Sequence, residues 1–150
     1  MSKPRLLALA SGGGHWVQLQ RLRPAFTGFE TAYVSMFDSY AEQVEGSRYY
    51  IIPDASRFEW ASFLPVFSKA IMILLKERPN AIVTTGSAPM LAFILLGRLI
   101  GARTLWIDSI ANCERMSSSG RLAKKLAHRV VSQWPEVADK EGVQCWGAVV

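Results

Sequence analysis

The sequence predicts an α/β fold: a single Rossmann-like domain, residues 1–150, with a mainly parallel sheet and helices on both of its faces. Short apolar runs alternate with segments of helical periodicity along the chain, which is the order that a parallel sheet requires. The first apolar run leads into three consecutive glycines and a helix start, an arrangement that places ligands at helix N-termini. A length of 150 residues fits one domain.

Each predicted strand is a short run of apolar and β-branched residues that ends at a glycine, proline or polar residue. Such runs are too short for helices and match strands whose two faces are both buried. The predicted strands are Leu6–Ala10, Thr31–Ser35, Tyr49–Ile52, Asn80–Thr84, Arg103–Ile107 and Arg129–Ser132, with a last short strand or tail over Val143–Val150.

The predicted helices show apolar residues at helical spacing and start or stop signals. Pro65 fits only near a helix start, so the first turn of its helix is expected there, and Gly101 is a C-terminal signal. The predicted helices begin near His15 and span Trp60–Arg78, Met90–Ile100 and Gly120–His128; between elements lie a short helix or loop over Phe37–Gly46, a loop over Ala55–Glu59 and a turn at Gln133–Pro135.

The segment Trp60–Arg78 is apolar around most of its circumference, whereas a helix on a sheet needs an apolar stripe of about 100°. Three explanations remain open: burial on most sides, contact with a partner subunit, or insertion into a membrane interface. The predicted membrane or partner contacts are Trp60, Phe63, Phe67, Lys124 and Lys125.

The glycine run is a candidate ligand loop. The dinucleotide pattern G-x-G-x-x-G can start only at Gly12 and then fails at Val17, and the P-loop pattern does not occur. What remains is Ser-Gly-Gly-Gly-His at a strand–helix junction. It fits a sugar or phosphate-bearing ligand held by backbone amides, and it equally fits a tight turn with a capping histidine.

Three predicted loops follow strand ends and carry polar residues or glycines: Ser11–His15, Thr85–Ser87 and Asp108–Asn112. Ligands of open α/β sheets bind outside the carboxyl ends of the strands. If the three strands are neighbours, these loops share one cleft.

All of the net charge of +5 comes from one segment. Between Arg98 and Arg129, seven basic residues stand against Asp108 and Glu114, and the rest of the chain carries ten of each sign. Anionic lipid head groups or a pyrophosphate substrate would match such a segment, and so would a solvated helix face. The sequence contains no recognisable nucleic-acid-binding motif, so nucleic acid is not an expected partner.

Neither metal nor cofactor is expected. Cys113 and Cys145 do not form a metal-type cluster, and both thiols are expected to be free. The N-terminal residues lack the apolar stretch of a signal peptide. The longest apolar stretches are shorter than the roughly 18 residues of a membrane span.

The segment SGGGHWVQL, from Ser11 to Leu19, resembles the glycine–histidine loop that opens the N-terminal half of GT-B glycosyltransferases of the MurG type. It looks still more like the acceptor-side subunit of the split UDP-N-acetylglucosamine transferase of asparagine-linked glycosylation and its bacterial, PssD-like exopolysaccharide relatives. The resemblance covers nearly the whole chain. Further motifs match in order and spacing: Thr85-Gly86-Ser87, Trp106-Ile107-Asp108-Ser109, Ser117-Ser118-Ser119-Gly120-Arg121 and Ser132-Gln133-Trp134-Pro135.

The resemblance implies a subunit of a two-subunit UDP-sugar glycosyltransferase that is inactive alone. The chain would bind a polyprenyl-diphosphate-linked sugar acceptor, and a donor-binding partner subunit would hold most of the UDP-sugar. It would associate peripherally with the cytoplasmic face of the membrane. A non-catalytic membrane scaffold for a glycosyltransferase and a stand-alone nucleotide-binding domain are the alternatives.

Glycosyl transfer needs a base for the acceptor hydroxyl and stabilisation of the leaving diphosphate. His15 and Asp108 are the candidate catalytic residues, and each could instead cap its own loop. In the resembling family, Glu is usual at the position of Asp108 and an Arg is expected near Asn112. The predicted acceptor-binding residues are Ser11, Gly12, Gly13, Gly14, Gly86, Ser87, Ser109 and Asn112.

Overall fold

In the computed structural model, which describes residues 2–55 and 59–150, seven strands form a sheet in which all neighbouring strands are parallel. The strands are Arg5–Leu9 (β1), Glu30–Ser35 (β2), Arg48–Ile51 (β3), Ala81–Thr84 (β4), Arg103–Ile107 (β5), Arg129–Ser132 (β6) and Gln144–Cys145 (β7). Their spatial order is β3-β2-β1-β4-β5-β6-β7. The predicted α/β class with a parallel sheet is therefore confirmed.

Helices follow the strands and lie on both faces of the sheet. They are Gly14–Arg21 (α1), Phe63–Glu77 (α2), Leu91–Leu99 (α3), Ser118–Leu126 (α4) and Pro135–Glu141 (α5), with 3-10 turns over Arg23–Phe26, Asp38–Val44, Trp60–Ser62 and Ala88–Met90. The loop predicted over Ala55–Glu59 falls mainly on residues 56–58, which lie outside the described residues.

Helix α2 begins earlier than predicted. Its first turn is expected at Pro65, whereas the helix starts at Phe63 and follows a 3-10 turn. Pro65 is tolerated there because the first N–H groups of a helix have no intrahelical partner.

Helix α5 is absent from the sequence analysis, which predicted only a turn at Gln133–Pro135. Pro135 occupies the first helical position, and Gly142 ends the helix in the left-handed region with φ of 70°. Both are ordinary helix signals. The helix has only seven residues, of which Val137 and Ala138 are buried, so its periodicity is too brief to stand out.

Two apolar layers hold the helices on the sheet. The face under α2, α3 and α4 forms one core, which includes Ile73, Phe93 and Ala123. The other face packs against α1 through Trp16 and Leu19, both buried. Burial of each large side chain, such as Ile73 or Leu19, contributes about 1.5–3 kcal/mol to folding. The two layers therefore hold α1 and the other helices in fixed positions on the sheet.

The carboxylate of Glu77, at the end of α2, ties this helix to β3. It accepts hydrogen bonds from Arg48 Nε at 2.7 Å, from Arg48 Nη2 at 2.9 Å and from Tyr50 Oη at 2.5 Å. Burial alone would raise the pKa of Glu77, but the hydrogen bonds from Arg48 and Tyr50 outweigh it and lower the pKa. Burial and the bond to Glu77 raise the pKa of Tyr50 to about 12.

We expect Glu77→Gln to lower the free energy of unfolding at neutral pH by about 2 kcal/mol, because an amide leaves donors of Arg48 and Tyr50 unpaired. The folded-state pKa of Glu77 is lowered, so the contribution of its charge is present above the unfolded-state carboxyl pKa and is lost as the pH falls. Urea unfolding at neutral pH and at about pH 3 measures both effects.

The matched control is Glu30→Gln. Glu30 pairs with the same Arg48 at 2.9 Å, but its side chain is 43% exposed. Exposed ion pairs contribute about 0–1 kcal/mol, so this variant should unfold close to the wild type. Equal losses of stability in the two variants would contradict the role assigned to Glu77.

Candidate active site

The centre of the sheet contains a topological switch point between β1 and β4. The chain leaves β1 toward β2 on one side and reaches β4 on the other, and Leu9 is in register with Thr84. In such sheets, ligands bind outside the carboxyl ends of the strands at this point. The loops after β1, β4 and β5 all leave the sheet at this edge, so the structure brings together the three loops that the sequence analysis selected.

A cavity of about 300 Å³ opens at this edge, and we call it the carboxyl-edge cleft. It lies between the start of α1, the loop after β4 and the start of α4. Its lining residues are His15, Ala55, Thr85, Ser87, Ala88, Pro89, Trp106, Asp108, Ser117, Ser118 and Ser119.

His15 and Thr85 hold each other by two hydrogen bonds across the switch point. The Nδ1 atom of His15 lies 2.8 Å from the Thr85 carbonyl oxygen, and the Thr85 hydroxyl donates to the His15 carbonyl oxygen at 2.6 Å. Since a carbonyl oxygen only accepts, Nδ1 must carry the proton. In the neutral ring, Nε2 therefore carries the lone pair and can accept a proton.

The contact between His15 and the loop after β4 requires a glycine. Gly86 has φ of 109°, and a Cβ atom there would lie 3.0 Å from two atoms of the His15 ring. The carbonyl oxygen of Gly86 also accepts from the backbone N–H of Ser11 at 2.8 Å. Gly86 and the buried Ser11 therefore join the two loops and do not line the cleft.

The glycine run leads into the start of α1. Gly14 is its first residue, and Gly13 precedes it with φ of 65° and donates its N–H to Tyr40 Oη at 3.0 Å. A Cβ atom on Gly12 would lie 2.2 Å from the ring of Phe37. Among the described residues, no side chain caps this end of α1, which leaves the partial positive charge of its N-terminus for an anion.

The carboxylate of Asp108 organises the loop after β5. Its Oδ1 accepts from Ser117 Oγ at 2.6 Å and from Trp106 Nε1 at 3.2 Å, and its Oδ2 accepts from Asn112 Nδ2 and from Ser117 N, both at 3.0 Å. A carboxylate offers about four lone-pair sites. Donors from the protein therefore occupy all of them, and Asp108 is 2% exposed although it lines the cleft.

The start of α4 is built around the same carboxylate. Ser117 caps this helix by accepting from the Gly120 N–H at 2.9 Å while its hydroxyl donates to Asp108. A Cβ atom on Gly120 would lie 2.5 Å from Asp108 Oδ1, so the helix could not approach the carboxylate with a larger residue there. The motif Ser117–Arg121 is recognisable in the sequence, but its residue types alone do not indicate that it borders the site.

Ser109, predicted to bind acceptor, is instead part of a buried network with two glutamines that the sequence analysis did not select. Its hydroxyl accepts from Gln18 Nε2 at 3.1 Å, and Gln133 Nε2 donates to Gln18 Oε1 at 2.7 Å. All three side chains are at least nine-tenths buried. Gln18 lies one helical turn after His15, between the buried residues Trp16 and Leu19. A polar residue at that position of a predicted helix is the one sign in the sequence that it could serve the site.

None of the predicted membrane or partner contacts lines the cleft; they lie in the 3-10 turn before α2, on α2 and on α4. Trp60 is 79% exposed, Phe63 and Phe67 are half-buried against the core, and Lys124 is paired with Glu141. The apolar excess expected over Trp60–Arg78 is exposed mainly through other side chains of α2 than those selected, and the exposed patch also includes the end of α3, which was not predicted. Its apolar members are Leu64, Ile71, Met72, Leu75, Leu99 and Ile100.

Across residues 2–55 and 59–150, no group of histidine, cysteine and acidic side chains is arranged to hold a metal ion. Both cysteines are free, as predicted. Within the same ranges, no helix is both long and apolar enough to cross a bilayer.

Comparison with known proteins identifies relatives of this chain. The family model "Oligosaccharide biosynthesis protein Alg14 like" matches residues 30–149. The UDP-N-acetylglucosamine transferase subunit ALG14 of Yarrowia lipolytica is 32% identical over 80 residues, which cover 49% of this chain and 37% of that protein.

Solved structures share the fold at low sequence identity. MurG of Acinetobacter baumannii gives a TM-score of 0.72 at 13% identity and covers 89% of this chain and 43% of its own. A putative UDP-N-acetylglucosamine 2-epimerase of Listeria monocytogenes gives 0.73 at 12% identity and covers 94% and 42%.

These likenesses confirm the fold expected of a GT-B glycosyltransferase half. The chain spans only about two fifths of the length of the relatives that it matches. The family model, however, matches well over half of the chain. The chain therefore belongs to the Alg14-like family of oligosaccharide biosynthesis proteins, as its motifs predicted.

Proposed function

We propose that this chain is the acceptor-binding subunit of a two-subunit UDP-sugar glycosyltransferase and acts on a polyprenyl-diphosphate-linked sugar. Family membership supports the reaction class, and the relative from Yarrowia lipolytica carries the name of a UDP-N-acetylglucosamine transferase subunit. The observation that carries the proposal is the position of His15, which lines the cleft with its proton on Nδ1 and its lone pair on Nε2.

In the proposed reaction, a hydroxyl of the acceptor sugar attacks the anomeric carbon of the UDP-sugar. A new glycosidic C–O bond forms while the bond from that carbon to UDP breaks, and UDP leaves with the electron pair. The hydroxyl proton passes to His15 Nε2. A histidine in this role must be neutral before the reaction and within hydrogen-bond reach of the hydroxyl.

Asp108 is proposed to shape the cleft and not to act as the base. Its four hydrogen bonds leave its carboxylate without a lone pair for a substrate hydroxyl. The serines beside it supply hydroxyl groups to the cleft wall, and the uncapped start of α1 favours negative charge. These features suit a sugar with a diphosphate group.

A partner subunit is proposed to supply the donor site, and the chain is proposed to be inactive alone. The relative from Yarrowia lipolytica is described as a subunit of a UDP-N-acetylglucosamine transferase, a name that implies a second chain. The acceptor would thus sit between His15 on this chain and a UDP-sugar held mainly by the partner. A stand-alone nucleotide-binding domain would need no second chain.

The test is sugar transfer by the reconstituted pair. This chain would be tagged, co-expressed with the protein of the neighbouring reading frame, and assayed with UDP-sugars and a polyprenyl-diphosphate-linked sugar. We expect His15→Asn to lower kcat by about 10²–10⁴-fold, because the amide keeps a donor near the Thr85 carbonyl but removes the base.

His128→Asn is the matched control because His128 lies at the opposite edge of the sheet, where it accepts from Thr104 N at 3.2 Å. This variant should transfer sugar like the wild type. Full activity of His15→Asn would support the non-catalytic scaffold. Absence of transfer by the wild-type pair would overturn the proposed function.

We further propose peripheral attachment to the cytoplasmic face of the membrane through the exposed patch on α2 and α3. Leu64 and Leu75, near the two ends of α2, are 60% and 64% exposed, and Ile71 and Met72 between them are exposed as well. Lys76 and Arg78 are also exposed at the end of this helix and would contact anionic head groups. The patch lies on the opposite side of the sheet from α1.

Leu75→Glu should lower binding to vesicles of anionic phospholipid by about tenfold, since it removes a side chain whose burial contributes about 1.5 kcal/mol or more. Val17→Glu, on the exposed face of α1, is the control and should bind vesicles like the wild type. Co-sedimentation measures both. Unchanged vesicle binding of Leu75→Glu would assign the patch to another partner.

A further inference from the structure

We infer that Gln18 and Gln133 are positioning residues: their paired amides fix the helix that carries His15 against the loop that carries Asp108. The inference deepens the proposed function and rests on it for the reaction that these residues serve. Neither glutamine lines the carboxyl-edge cleft, so both would act through the residues that they hold.

The two amides bridge three separate parts of the chain. Gln18 Oε1 accepts from Gln133 Nε2 at 2.7 Å and from Ile110 N at 3.2 Å, while Gln18 Nε2 donates to Ser109 Oγ at 3.1 Å. Gln133 Nε2 also donates to the carbonyl oxygen of Asp108 at 3.0 Å. Helix α1 is thus bonded directly to the Ser109 side chain and the Ile110 backbone and, through Gln133 at the end of β6, to the backbone of Asp108.

Two further hydrogen bonds hold the loop after β5 and the Gln133 amide in place. Trp134 Nε1 donates to the Ile110 carbonyl oxygen at 2.7 Å, and Val149 N donates to Gln133 Oε1 at 2.7 Å. Gln18 and Gln133 are 5% and 4% exposed. A buried side-chain amide lowers the stability of a protein unless its N–H and C=O groups are hydrogen-bonded. These bonds form together only when α1, the loop after β5 and the end of β6 lie in one arrangement, so the network favours that arrangement.

Position along α1 connects the network to His15. Gln18 follows His15 by three residues, about 4.5 Å along the helix axis, and both face the carboxyl edge of the sheet. Asp108 lies one residue before Ser109. The network therefore sets the width of the cleft between the His15 ring and the Asp108–Ser117 wall. A displacement of about 1 Å between reacting groups can cost about 10²-fold in rate.

The chain offers a matched control in Gln20, on the same helix. The Oε1 and Nε2 atoms of Gln20 are buried, and among the described residues neither has a hydrogen-bond partner. Gln18→Met and Gln20→Met thus make the same substitution on the same helix, but only the first removes the network.

The first measurement uses the full chain alone. The indole N–H of Trp106 donates to Asp108 at 3.2 Å, so its NMR resonance reports the position of that carboxylate. We expect Gln18→Met to shift and broaden this resonance and Gln20→Met to leave it as in the wild type. An unchanged Trp106 resonance in folded Gln18→Met would overturn the inference, whether or not sugar transfer is detected.

The second measurement uses the reconstituted pair. Gln18→Met should lower kcat by at least about tenfold while the KM for the UDP-sugar, held by the partner, stays within about twofold. Gln18→Glu keeps acceptors for Ile110, Gln133 and the Ser109 hydroxyl, so it should recover most of kcat. If Gln18→Met fails to fold, the kcat of Gln18→Glu still tests the inference.

The outcomes separate the two proposals. A wild-type pair that transfers no sugar overturns the proposed function, and the indole resonance still tests the positioning role. A wild-type pair that transfers sugar, with Gln18→Met as active as Gln20→Met, overturns the positioning role alone. If the apparent kcat of Gln18→Met falls only in proportion to its loss of folded protein, so that kcat per folded molecule equals that of the wild type, the role is purely structural and the inference is also overturned.

Discussion

The reciprocal pair of hydrogen bonds between His15 and Thr85 is the contact on which the carboxyl-edge cleft depends. It joins the start of α1 to the end of β4 at the switch point, and it fixes which ring nitrogen faces outward. Neither bond forms unless β1 and β4 are neighbours and Gly86 leaves room for the imidazole ring. The parallel sheet and its two apolar layers hold this geometry, because they place α1 over β1 and end β4 beside it.

Around this contact, the polar residues divide into those that hold the cleft and those that face it. Asp108 accepts four hydrogen bonds from the chain, and the pair Gln18 and Gln133 satisfies backbone groups of the loop after β5. These side chains are buried and their hydrogen bonds are made within the protein. His15 and the serines at the start of α4 line the cavity. A polar wall fixed by internal hydrogen bonds therefore stands beside one imidazole whose Nε2 makes no hydrogen bond among the described residues.

The sequence was sufficient for the strands, for most helices and for the edge at which the cleft lies, because periodicity and glycines report local structure. It also identified the family through the spacing of the His15, Asp108 and Gln133 motifs. It could not show that Ser109 is buried or that Asp108 is saturated, because both follow from partners many residues away, such as Gln18. It also missed the short helix α5, for which packing and not periodicity supplies the stability.

The most direct test of this account is the tautomeric state of the two histidine rings, read from their ¹⁵N chemical shifts in the full chain at neutral pH. His15 should carry its proton on Nδ1, because the Thr85 carbonyl accepts there. His128 should show the opposite tautomer, since its Nδ1 accepts from Thr104 N, and it serves as the internal reference. A His15 ring with its proton on Nε2 would contradict the assignment of His15 as the base of the cleft.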